Sequence, residues 1–521
     1  MIVRGADFRG SSPVKADVCV IGSGAGGAVL AWEMVARGHK VVLLEKGGYH
    51  TREEFDQREE EMIPMLYKNA GLQFTVPSGI AVAQGSCVGG STVVNDAVCF
   101  RTPDSVLGWW EDEHKVEEVG PAAMKGYFER VEKRISVSQV QPHELNKNNL
   151  VLKKGADRLG WVSGPNSRNC KTCRQCGNCQ LGCYYGTKQS MLETYIKEGE
   201  EDYGKEFTLY ADAEAIELVK VGSRVTGVKA KVKGSGGRSF DLDVRAKVVV
   251  VAAGTIASSA LLLESGIEVG GQVGTGVAIH PSPAMVGDFE EEINGNQGIP
   301  MAYHCHEFCV LNTGNRGYML EAVFFAPYQF SLPLPGVGFD HKELMSRYSH
   351  YALVGSLLQD ESVGKVIAGG PLGYSLQYEL SQGDSAMMME GMKAAAKVLF
   401  AAGATKVMTS HRRPTVLHSE RDLHIIDERG LTSGSISVGS GHPQGGNRMG
   451  GVKGSAVVDS HSKVYGLDNL FVCDASVFPT SIGVNPQVTV MALSARASDH
   501  IGENWRKYSG EAGTASTQGS S

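Results

Sequence analysis

The chain has 521 residues, 42% of them apolar and 21% charged, and its formal net charge is −7. This size and composition predict a soluble protein with more than one packed core, and the absence of a long Lys/Arg run excludes a nucleic-acid binder. The sequence contains no stretch of about 18 apolar residues, so we do not expect an integral membrane protein. The N-terminus lacks the apolar core of a signal peptide, so we expect a cytoplasmic location.

The N-terminal residues predict a βαβ unit. Residues 16–21 predict a short buried strand, residues 26–37 a helix that opens on glycines, and residues 40–45 a second strand. Such a unit, with glycines at its first turn, is typical of nucleotide-binding α/β domains.

The turn between the first strand and the helix carries Gly22, Gly24 and Gly27. These glycines permit a tight turn, close approach of the backbone to a pyrophosphate and close packing of the helix, whose N-terminus favours negative charge. Glu45 ends the second strand, where a carboxylate can accept hydrogen bonds from ribose hydroxyls. The unit predicts a bound dinucleotide, and by itself leaves NAD, FAD or an unliganded glycine turn open.

Cysteines are concentrated in the middle of the chain, where five of the eleven lie between residues 170 and 183. Four have the C-x2-C-x2-C-x3-C spacing of bacterial ferredoxins, with Tyr184 in place of the usual proline. This spacing predicts an iron–sulfur cluster, with Cys170 as the spare thiol and these ligands: Cys173, Cys176, Cys179 and Cys183. Structural zinc, and thiols or disulfides without metal, are the alternatives.

Further strands end at small or acidic residues, as at ligand sites of α/β sheets. Residues 247–252 lead into Gly254, and residues 470–473 lead into Asp474. Residues 207–243 alternate apolar and polar types and predict an antiparallel appendage. Residues 289–440 predict a second region, β-rich to about residue 379, then an amphipathic helix from about 384 to 402.

Several segments resemble the glucose–methanol–choline (GMC) oxidoreductase family. Residues 89–95 (GGSTVVN) are similar to its flavin loop, residues 254–267 to its second signature, and residues 474–476 and 483–489 to its closing segment. The family signature usually ends in glycine where this chain has Glu268. The resemblance covers nearly the whole chain and implies FAD, bound by the residues named above together with Gly90, Ser91, Asn95, Gly254, Asp474, Ala475 and Pro486.

The resemblance also implies a fold and a mode of FAD attachment. We expect an α/β FAD-binding Rossmann-like domain from residues 1–100, 200–288 and 441–506. An α+β substrate domain with an antiparallel sheet is expected from residues 101–199 and 289–440, and a disordered tail from residues 507–521. Val94 stands where some members carry a flavin-linking His, so we expect non-covalent FAD.

Oxidation of an alcohol by hydride transfer needs a base for the hydroxyl proton, and histidine titrates in the right range. By resemblance, His442 is the base and Asn485 hydrogen-bonds the substrate oxygen, next to the flavin N5. His280, in an Ile-His-Pro turn, resembles a family position near the domain junction. His304, Cys305, His306 and Cys309 suggest a metal but fall on a strand-like stretch, where core packing is favoured. Core or pocket lining is also favoured for residues 387–389, three methionines on the amphipathic helix.

We therefore expect an FAD-dependent alcohol dehydrogenase whose electrons leave through the cluster, with an acceptor protein as a candidate partner. The alternative is an oxygen-using alcohol oxidase that forms hydrogen peroxide and has a structural cysteine cluster. A binding protein that lost activity is disfavoured by His442, and a nicotinamide-dependent zinc dehydrogenase does not explain the segment 89–95. The motif forms are closest to cholesterol oxidase-like and long-chain alcohol oxidase-like members, which favours a hydrophobic alcohol.

Overall fold

The computed structural model describes residues 1–10, 13–332, 334–361, 364–370, 372–413, 415–432 and 434–511. Its strands are Ile2–Val3 (β1), Val14–Ile21 (β2), Val41–Leu44 (β3), Val76–Pro77 (β4), Ala81–Val82 (β5), Val137–Gln139 (β6), Ser163–Pro165 (β7), Ser167–Asn169 (β8), Phe207–Tyr210 (β9), Ala213–Val221 (β10), Arg224–Lys233 (β11), Ser239–Val251 (β12), Thr275–Ala278 (β13), Ala284–Asp288 (β14), Tyr303–Cys305 (β15), Tyr318–Ala322 (β16), Tyr351–Leu358 (β17), Gly364–Ala368 (β18), Tyr374–Tyr378 (β19), Lys406–Met408 (β20), Val416–Leu417 (β21), Gly439–Ser440 (β22), Gln444–Gly446 (β23) and Leu470–Val472 (β24). Its α-helices are Ala25–Ala36 (α1), Glu59–Leu66 (α2), Asp104–Asp112 (α3), Pro121–Arg134 (α4), Lys147–Leu159 (α5), Lys197–Tyr203 (α6), Thr255–Glu264 (α7), Val310–Thr313 (α8), Pro327–Ser331 (α9), Phe339–Ser346 (α10), Gln382–Ala402 (α11), His424–Arg429 (α12), Gln487–Glu503 (α13) and Trp505–Ser509 (α14).

The first sheet forms the predicted dinucleotide-binding fold. Its described strands have the order β1-β9-β3-β2-β12-β11-β10. Strand β24 pairs with the end of β12, on the side opposite β2. The end of β12 is parallel to both β2 and β24, whereas its first half is antiparallel to β11. One long strand thus joins the parallel sheet to an antiparallel appendage formed by β10 and β11. The predicted appendage also included residues 207–210, but these form β9, which pairs in parallel with β1 and β3. Because parallel strands share their carboxyl edge, Gly22, Glu45, Gly254 and Asp474 gather at one edge of this sheet.

The second region contains the predicted antiparallel sheet. In the described residues this sheet has the order β21-β20-β14-β17-β16-β15-β7, and α11 packs on it with α5. Helix α11 begins where Ser381 caps it and ends at Gly403, whose φ of 114° lies in the left-handed region. A smaller sheet in the described residues has the strand order β23-β13-β18-β19-β4. The predicted fold class, with its two kinds of domain, is confirmed.

Two stretches differ from the predicted domain limits. Helices α3 and α4 were assigned to the substrate domain, but their apolar faces belong to the first hydrophobic core, and α4 packs on α13. Trp110 of α3 is fully buried there, 5.5 Å from the ring of Phe478. Strand β14 was assigned to the FAD-binding domain, but it pairs with β17 and β20 of the second region. Amphipathic helices and short strands give no sequence signal for which of two cores they cover.

The C-terminal end is helical further than expected. Helix α14 extends to Ser509 because Tyr508 is buried against the ring of Phe471, at a centroid distance of 5.0 Å. Residues 507–509, predicted as part of a disordered tail, are therefore helical, and residues 512–521 of that prediction lie outside the described residues. Within the described residues, no helix has the length and apolar character needed to cross a bilayer.

The packing of α3 predicts a sharp contrast between two neighbouring tryptophans. Trp110 is fully buried and its indole N–H donates to Thr480 Oγ1 at 2.8 Å, whereas Trp109 is 47% exposed. We expect Trp110→Ala to destabilise the first domain by about 3–5 kcal/mol, because it leaves a cavity. Trp109→Ala should change stability by less than about 1 kcal/mol. Denaturant unfolding followed by circular dichroism measures both, and equal losses would contradict the packing described here.

Candidate active site

The glycine turn after β2 has one open face. At Gly22, where φ is 100°, an added Cβ would lie 2.3 Å from the carbonyl oxygen of Ala252, and at Gly27 it would lie 1.9 Å from that of Gly22. At Gly24 the nearest heavy atom would be the Cα of Gly90, 4.0 Å away. Gly22 and Gly27 are therefore required by packing, while Gly24 leaves space through which a ligand can approach the backbone.

Glu45 lies next to this turn, as predicted. Its carboxylate accepts hydrogen bonds from the amide and hydroxyl of Ser23, at 2.9 and 2.7 Å, and from the amide of Gly47 at 2.9 Å. Burial raises the pKa of Glu45, and these three donors oppose that shift. The carboxylate is thus held rigidly beside the turn, where a ribose would have its hydroxyls.

The loop of residues 89–95 lies directly over the glycine turn. Gly89 has a φ of 95°, and residues Gly90–Thr92 form a 3-10 turn. An added Cβ at Gly90 would be 2.8 Å from the Cα of Gly24. Ser91 Oγ accepts from the amide of Gly85 at 3.0 Å, and Asn95 donates to Gln487 Oε1 at 2.9 Å. The two glycine segments, 62 or more residues apart in the chain, form one cradle.

A third group of predicted residues meets at the ends of β12 and β24. Asp474 Oδ2 accepts from the amide of Gly254 at 2.9 Å and from Ser258 Oγ at 2.5 Å, while Oδ1 accepts from the amide of Ser476 at 2.8 Å. Ala475 begins the short turn held by these bonds. Pro486 immediately precedes α13, so the N-terminus of that helix opens next to the predicted catalytic Asn485.

The structure brings His442 and Asn485 together. His442 Nε2 and Asn485 Nδ2 are 3.4 Å apart, a loose contact that leaves both groups available to a substrate. Burial, assisted by the neighbouring His280, lowers the pKa of His442 to about 3. The imidazole is therefore neutral near neutral pH, which is the form that can accept a proton.

His280 also lies in the site, behind His442. The two Nδ1 atoms are 3.4 Å apart and the rings meet edge to face. His280 is buried, with a φ of 50°, and its Nε2 accepts from the amide of Gly483 at 3.0 Å and contacts Gln444 Nε2 at 2.9 Å. These fixed contacts make His280 a support that limits where the ring of His442 can lie.

Sequence reasoning missed Glu321, which completes the polar cluster. It lies on β16, is 4% exposed and lies near the Asn485 side chain, and burial raises the pKa of its carboxyl to about 8. Among the described residues, neither Glu321 Oε1 nor Asn485 Oδ1 has a hydrogen-bond partner, although both atoms are buried. A lone Glu in the apolar run of residues 319–325 was the available signal. Two unsatisfied oxygens at this position indicate a place for a polar ligand group.

The five clustered cysteines line a single small cavity that is partly open to solvent. Amide groups point at two of the sulfurs: that of Gln175 at Cys173 Sγ and that of Lys188 at Cys183 Sγ, each at 3.5 Å. In the described part of the chain, no group of three or more His, Cys, Asp or Glu side chains is placed to hold a single metal ion. The predicted spare, Cys170, lines the same cavity as the predicted ligands.

The cysteine segment contacts the glycine loop 89–95. Lys188 Nζ donates to the carbonyl oxygens of Val93, Asn95 and Cys179, at 2.7, 2.8 and 2.7 Å. One buried ammonium group therefore connects the loop over the dinucleotide turn to the cysteines.

The remaining candidates pack in the second core. His304 and Cys305 are buried on β15, with His304 Nδ1 bonded to Asn166 Oδ1 at 2.7 Å. Met388 is fully buried in that core, and Met387 and Met389 pack against it from its margin.

A parallel sheet with a glycine turn, a second glycine loop over it and a His–Asn pair at the domain junction together define a two-domain, dinucleotide-dependent oxidoreductase. Family models described as GMC oxidoreductase match residues 63–282 and 368–494, and one described as an NAD(P)-binding Rossmann-like domain matches residues 20–59. The chain is 30% identical to an uncharacterised GMC-type oxidoreductase of Mycobacterium tuberculosis, over 94% of this chain and 76% of that protein. It belongs to the GMC oxidoreductase family, and its dinucleotide is FAD.

Other relatives and solved structures agree with this assignment. A long-chain-alcohol oxidase of Arabidopsis thaliana is 29% identical over 94% of this chain and 68% of its own length. The formate oxidase of Aspergillus oryzae superposes with a TM-score of 0.73 at 14% identity, covering 96% of this chain and 100% of that chain. Pyridoxine 4-oxidase from Mesorbium loti superposes with a TM-score of 0.68 at 18% identity, covering 93% and 98%. The two superpositions show the same fold.

The contact between the glycine segments predicts a specific loss of FAD. A Cβ at Gly90 would overlap the backbone of Gly24, whereas one at Gly126 in α4 meets nothing within 4 Å. Relieving such an overlap costs about 1–3 kcal/mol, so we expect Gly90→Ala to weaken FAD binding by about 5- to 150-fold. Gly126→Ala serves as the control and should leave binding unchanged. Titration of the apoprotein with FAD, followed by flavin fluorescence, measures both affinities, and undiminished binding by the Gly90 variant would place the cofactor elsewhere.

The position of Glu321 predicts a pH-dependent loss of stability. Its carboxyl has a pKa of about 8 in the folded chain against an ordinary value of 4.5, so the folded state binds this proton more tightly. Stability should therefore fall as the pH rises between these two values, because the charged form must stay buried. In Glu321→Gln this part of the decline should be absent.

Melting temperatures of both proteins, measured between about pH 5 and pH 9, check this expectation. Each kcal/mol lost in the free energy of unfolding should lower the melting temperature by roughly 2–4 °C. Glu343→Gln, on the exposed face of α10, is the matched control and should follow the wild type. Parallel curves for wild type and Glu321→Gln would mean that the carboxyl titrates normally.

Proposed function

We propose that this chain oxidises the CH–OH group of a hydrophobic alcohol to a carbonyl, with His442 as the base and bound FAD as the hydride acceptor. The observation that carries the proposal is the loose His442–Asn485 pair at the domain junction, next to the segments that form the FAD cradle. The two nitrogens are 3.4 Å apart and so interact only weakly with each other. A substrate oxygen can therefore contact both side chains without breaking a strong hydrogen bond.

The residues present fit FAD. Space is left at Gly24 for close approach of a pyrophosphate, and Glu45 is held where ribose hydroxyls would lie. The N-terminus of α13 opens beside Asn485, and its partial positive charge suits the negative charge that a flavin gains on reduction. We also propose that FAD is held non-covalently, since the hydrocarbon side chain of the buried Val94 cannot form a bond to it.

The side chains divide the work of proton removal. Neutral His442 accepts the hydroxyl proton at Nε2, the ring nitrogen that faces Asn485. The Asn485 side chain fixes the direction of the substrate oxygen. The proton that His442 gains is held at Nε2, beside the Asn485 side chain. His280 keeps the ring of His442 in place.

The substrate class rests on relatives. Curated relatives over 94% of this chain are named long-chain-alcohol oxidases, which supports a hydrophobic alcohol. The oxidase reading, with oxygen as electron acceptor and peroxide as product, is favoured by those names. The dehydrogenase reading is favoured by the cysteine segment, and we propose it as the activity of this chain.

The cysteine segment supports an iron–sulfur cluster, which would supply one-electron redox chemistry beside the flavin. Five sulfurs line one cavity, and two of them accept amide hydrogen bonds of the kind that surround cluster ligands. A single structural zinc ion needs four ligand atoms around one point. Among the described residues, the cysteine side chains are not grouped closely enough to provide them. We propose Cys173, Cys176, Cys179 and Cys183 as ligands and a protein as the electron acceptor. A cytoplasmic location suits so many thiols.

Replacement of the base tests the proposed chemistry. We expect His442→Ala to slow anaerobic reduction of the flavin by alcohol about 10²–10⁴-fold, because no other group takes the hydroxyl proton. Asn485→Ala should slow it less, since that side chain orients the oxygen without accepting the proton. Stopped-flow absorbance measures the rates, and the flavin released by acid precipitation shows that FAD is still bound and not covalently attached. His143→Ala, in the 3-10 turn Pro142–Glu144, is the control. An unchanged rate in His442→Ala would require another base.

The metal content separates dehydrogenase from oxidase. Protein purified without oxygen should contain about three or four irons per chain with matching acid-labile sulfide, and a broad absorbance beneath the flavin bands. With an alcohol it should reduce artificial electron acceptors much faster than it forms peroxide. Iron-free protein that is fully active and forms one peroxide per alcohol would support the oxidase reading instead.

A further inference from the structure

Two buried cations lie beside the cysteines. The side chains of Arg168 and Lys188 are each 2% exposed. Within the described residues, no carboxylate oxygen lies within 4.0 Å of a nitrogen of either side chain. Buried charges are normally paired, because an unpaired one loses its hydration without compensation. These two cations therefore need a negative partner that is not an ordinary salt bridge.

The charged groups point at the cysteine segment. Arg168 Nη2 is 3.2 Å from Cys179 Sγ and its Nη1 is 3.9 Å from Cys173 Sγ, while Nε donates to the carbonyl oxygen of Asp96 at 3.0 Å. Lys188 Nζ donates to the carbonyl oxygen of Cys179. Both positive charges are thus directed at the walls of the cavity that the five cysteines share.

Carboxylates do not supply the missing charge. The sequence has no Asp or Glu from residue 167 to residue 192. The nearest carboxyl is that of Asp96, whose Oδ2 accepts from Gln180 at 2.9 Å and whose Oδ1 is buried without a partner among the described residues. One carboxylate at most therefore faces two cations. Arginine stays protonated under all ordinary conditions, so the imbalance cannot be removed by loss of its proton.

We infer that the centre held by these cysteines carries a net negative charge, and that Arg168 and Lys188 are its built-in counter-charge. Protonated thiols and disulfides supply no negative charge, whereas every cysteine ligand of a metal–thiolate centre is a thiolate. The inference rests on the proposed iron–sulfur cluster for the identity of the metal, and on the two cations for the sign of the charge.

Arg168 then acts as a positioning residue of the centre. Its guanidinium is a planar fork with several donors, which suits contact with two sulfurs at once. Hydrogen bonds and positive charge at the sulfurs stabilise the reduced form of a cluster more than the oxidised form, and so raise its reduction potential. Lys188 joins the same centre to Val93 and Asn95 of the glycine loop.

The test is to remove the guanidinium from the full-length holoenzyme. Arg168→Gln and Arg168→Lys are purified without oxygen beside wild type, and iron, acid-labile sulfide and FAD are measured per chain. Arg496→Gln is the matched control, because Arg496 is also buried and bonds to backbone carbonyls, of Ser460 and Glu117, away from the cysteines. The reduction potential of any iron that remains is measured by redox titration with electron paramagnetic resonance.

We expect Arg168→Gln to retain the centre about 10- to 100-fold less tightly against a chelator, with FAD unchanged, as when other outer contacts of metal sites are removed. Its remaining cluster should titrate at a more negative potential, and Arg168→Lys should lie between it and wild type. If both variants keep wild-type iron and potential, the counter-charge inference is wrong while the cluster stands. If wild type holds no metal and mass spectrometry finds disulfides among these cysteines, the inference and the cluster both fail. Iron-free wild type with bound zinc would overturn the cluster and keep the inference.

Discussion

The site depends on a backbone contact that side chains would prevent. The glycine turn after β2 and the loop 89–95 approach each other at Gly24 and Gly90, and a single carbon added at Gly90 would lie 2.8 Å from the Cα of Gly24. This approach closes the cradle over the first sheet and fixes the position of the loop. Because the loop carries Val93 and Asn95, the same contact also fixes the carbonyl oxygens to which Lys188 binds.

The parts that sequence predicted are those with a local physical cause. Gly22, Gly24 and Gly27 are spaced by the needs of one turn, and β2, α1 and β3 follow each other without a break. The limits of these elements were predicted within one or two residues. His442 and Asn485 were placed by resemblance, and the structure brings them within 3.4 Å of each other.

The parts that sequence did not predict depend on which distant elements meet. In the sequence Glu321 is an ordinary strand residue, because its neighbourhood to Asn485 depends on where the fold places β16. Burial among other side chains raises the pKa of its carboxyl, and this burial exists only in the folded chain. Helices α3 and α4 have apolar faces that suit either core, so their partner α13 could not be inferred from periodicity. The role of Arg168 was likewise hidden, since spacing identifies cysteines but not the cation that faces them.

Charge placement connects the two candidate centres of this molecule. Around His442 the buried groups are neutral imidazoles and a carboxyl with a raised pKa, so the site is organised to carry one proton and little fixed charge. Around the cysteines the buried groups are the Arg168 and Lys188 side chains, so that site is organised to hold negative charge. Lys188 binds two carbonyl oxygens of the loop 89–95, those of Val93 and Asn95, and one of the cysteine segment, that of Cys179. In the proposed function, the positive charge of this region favours electrons that leave the first site, because added negative charge is stabilised wherever unpaired cations are buried.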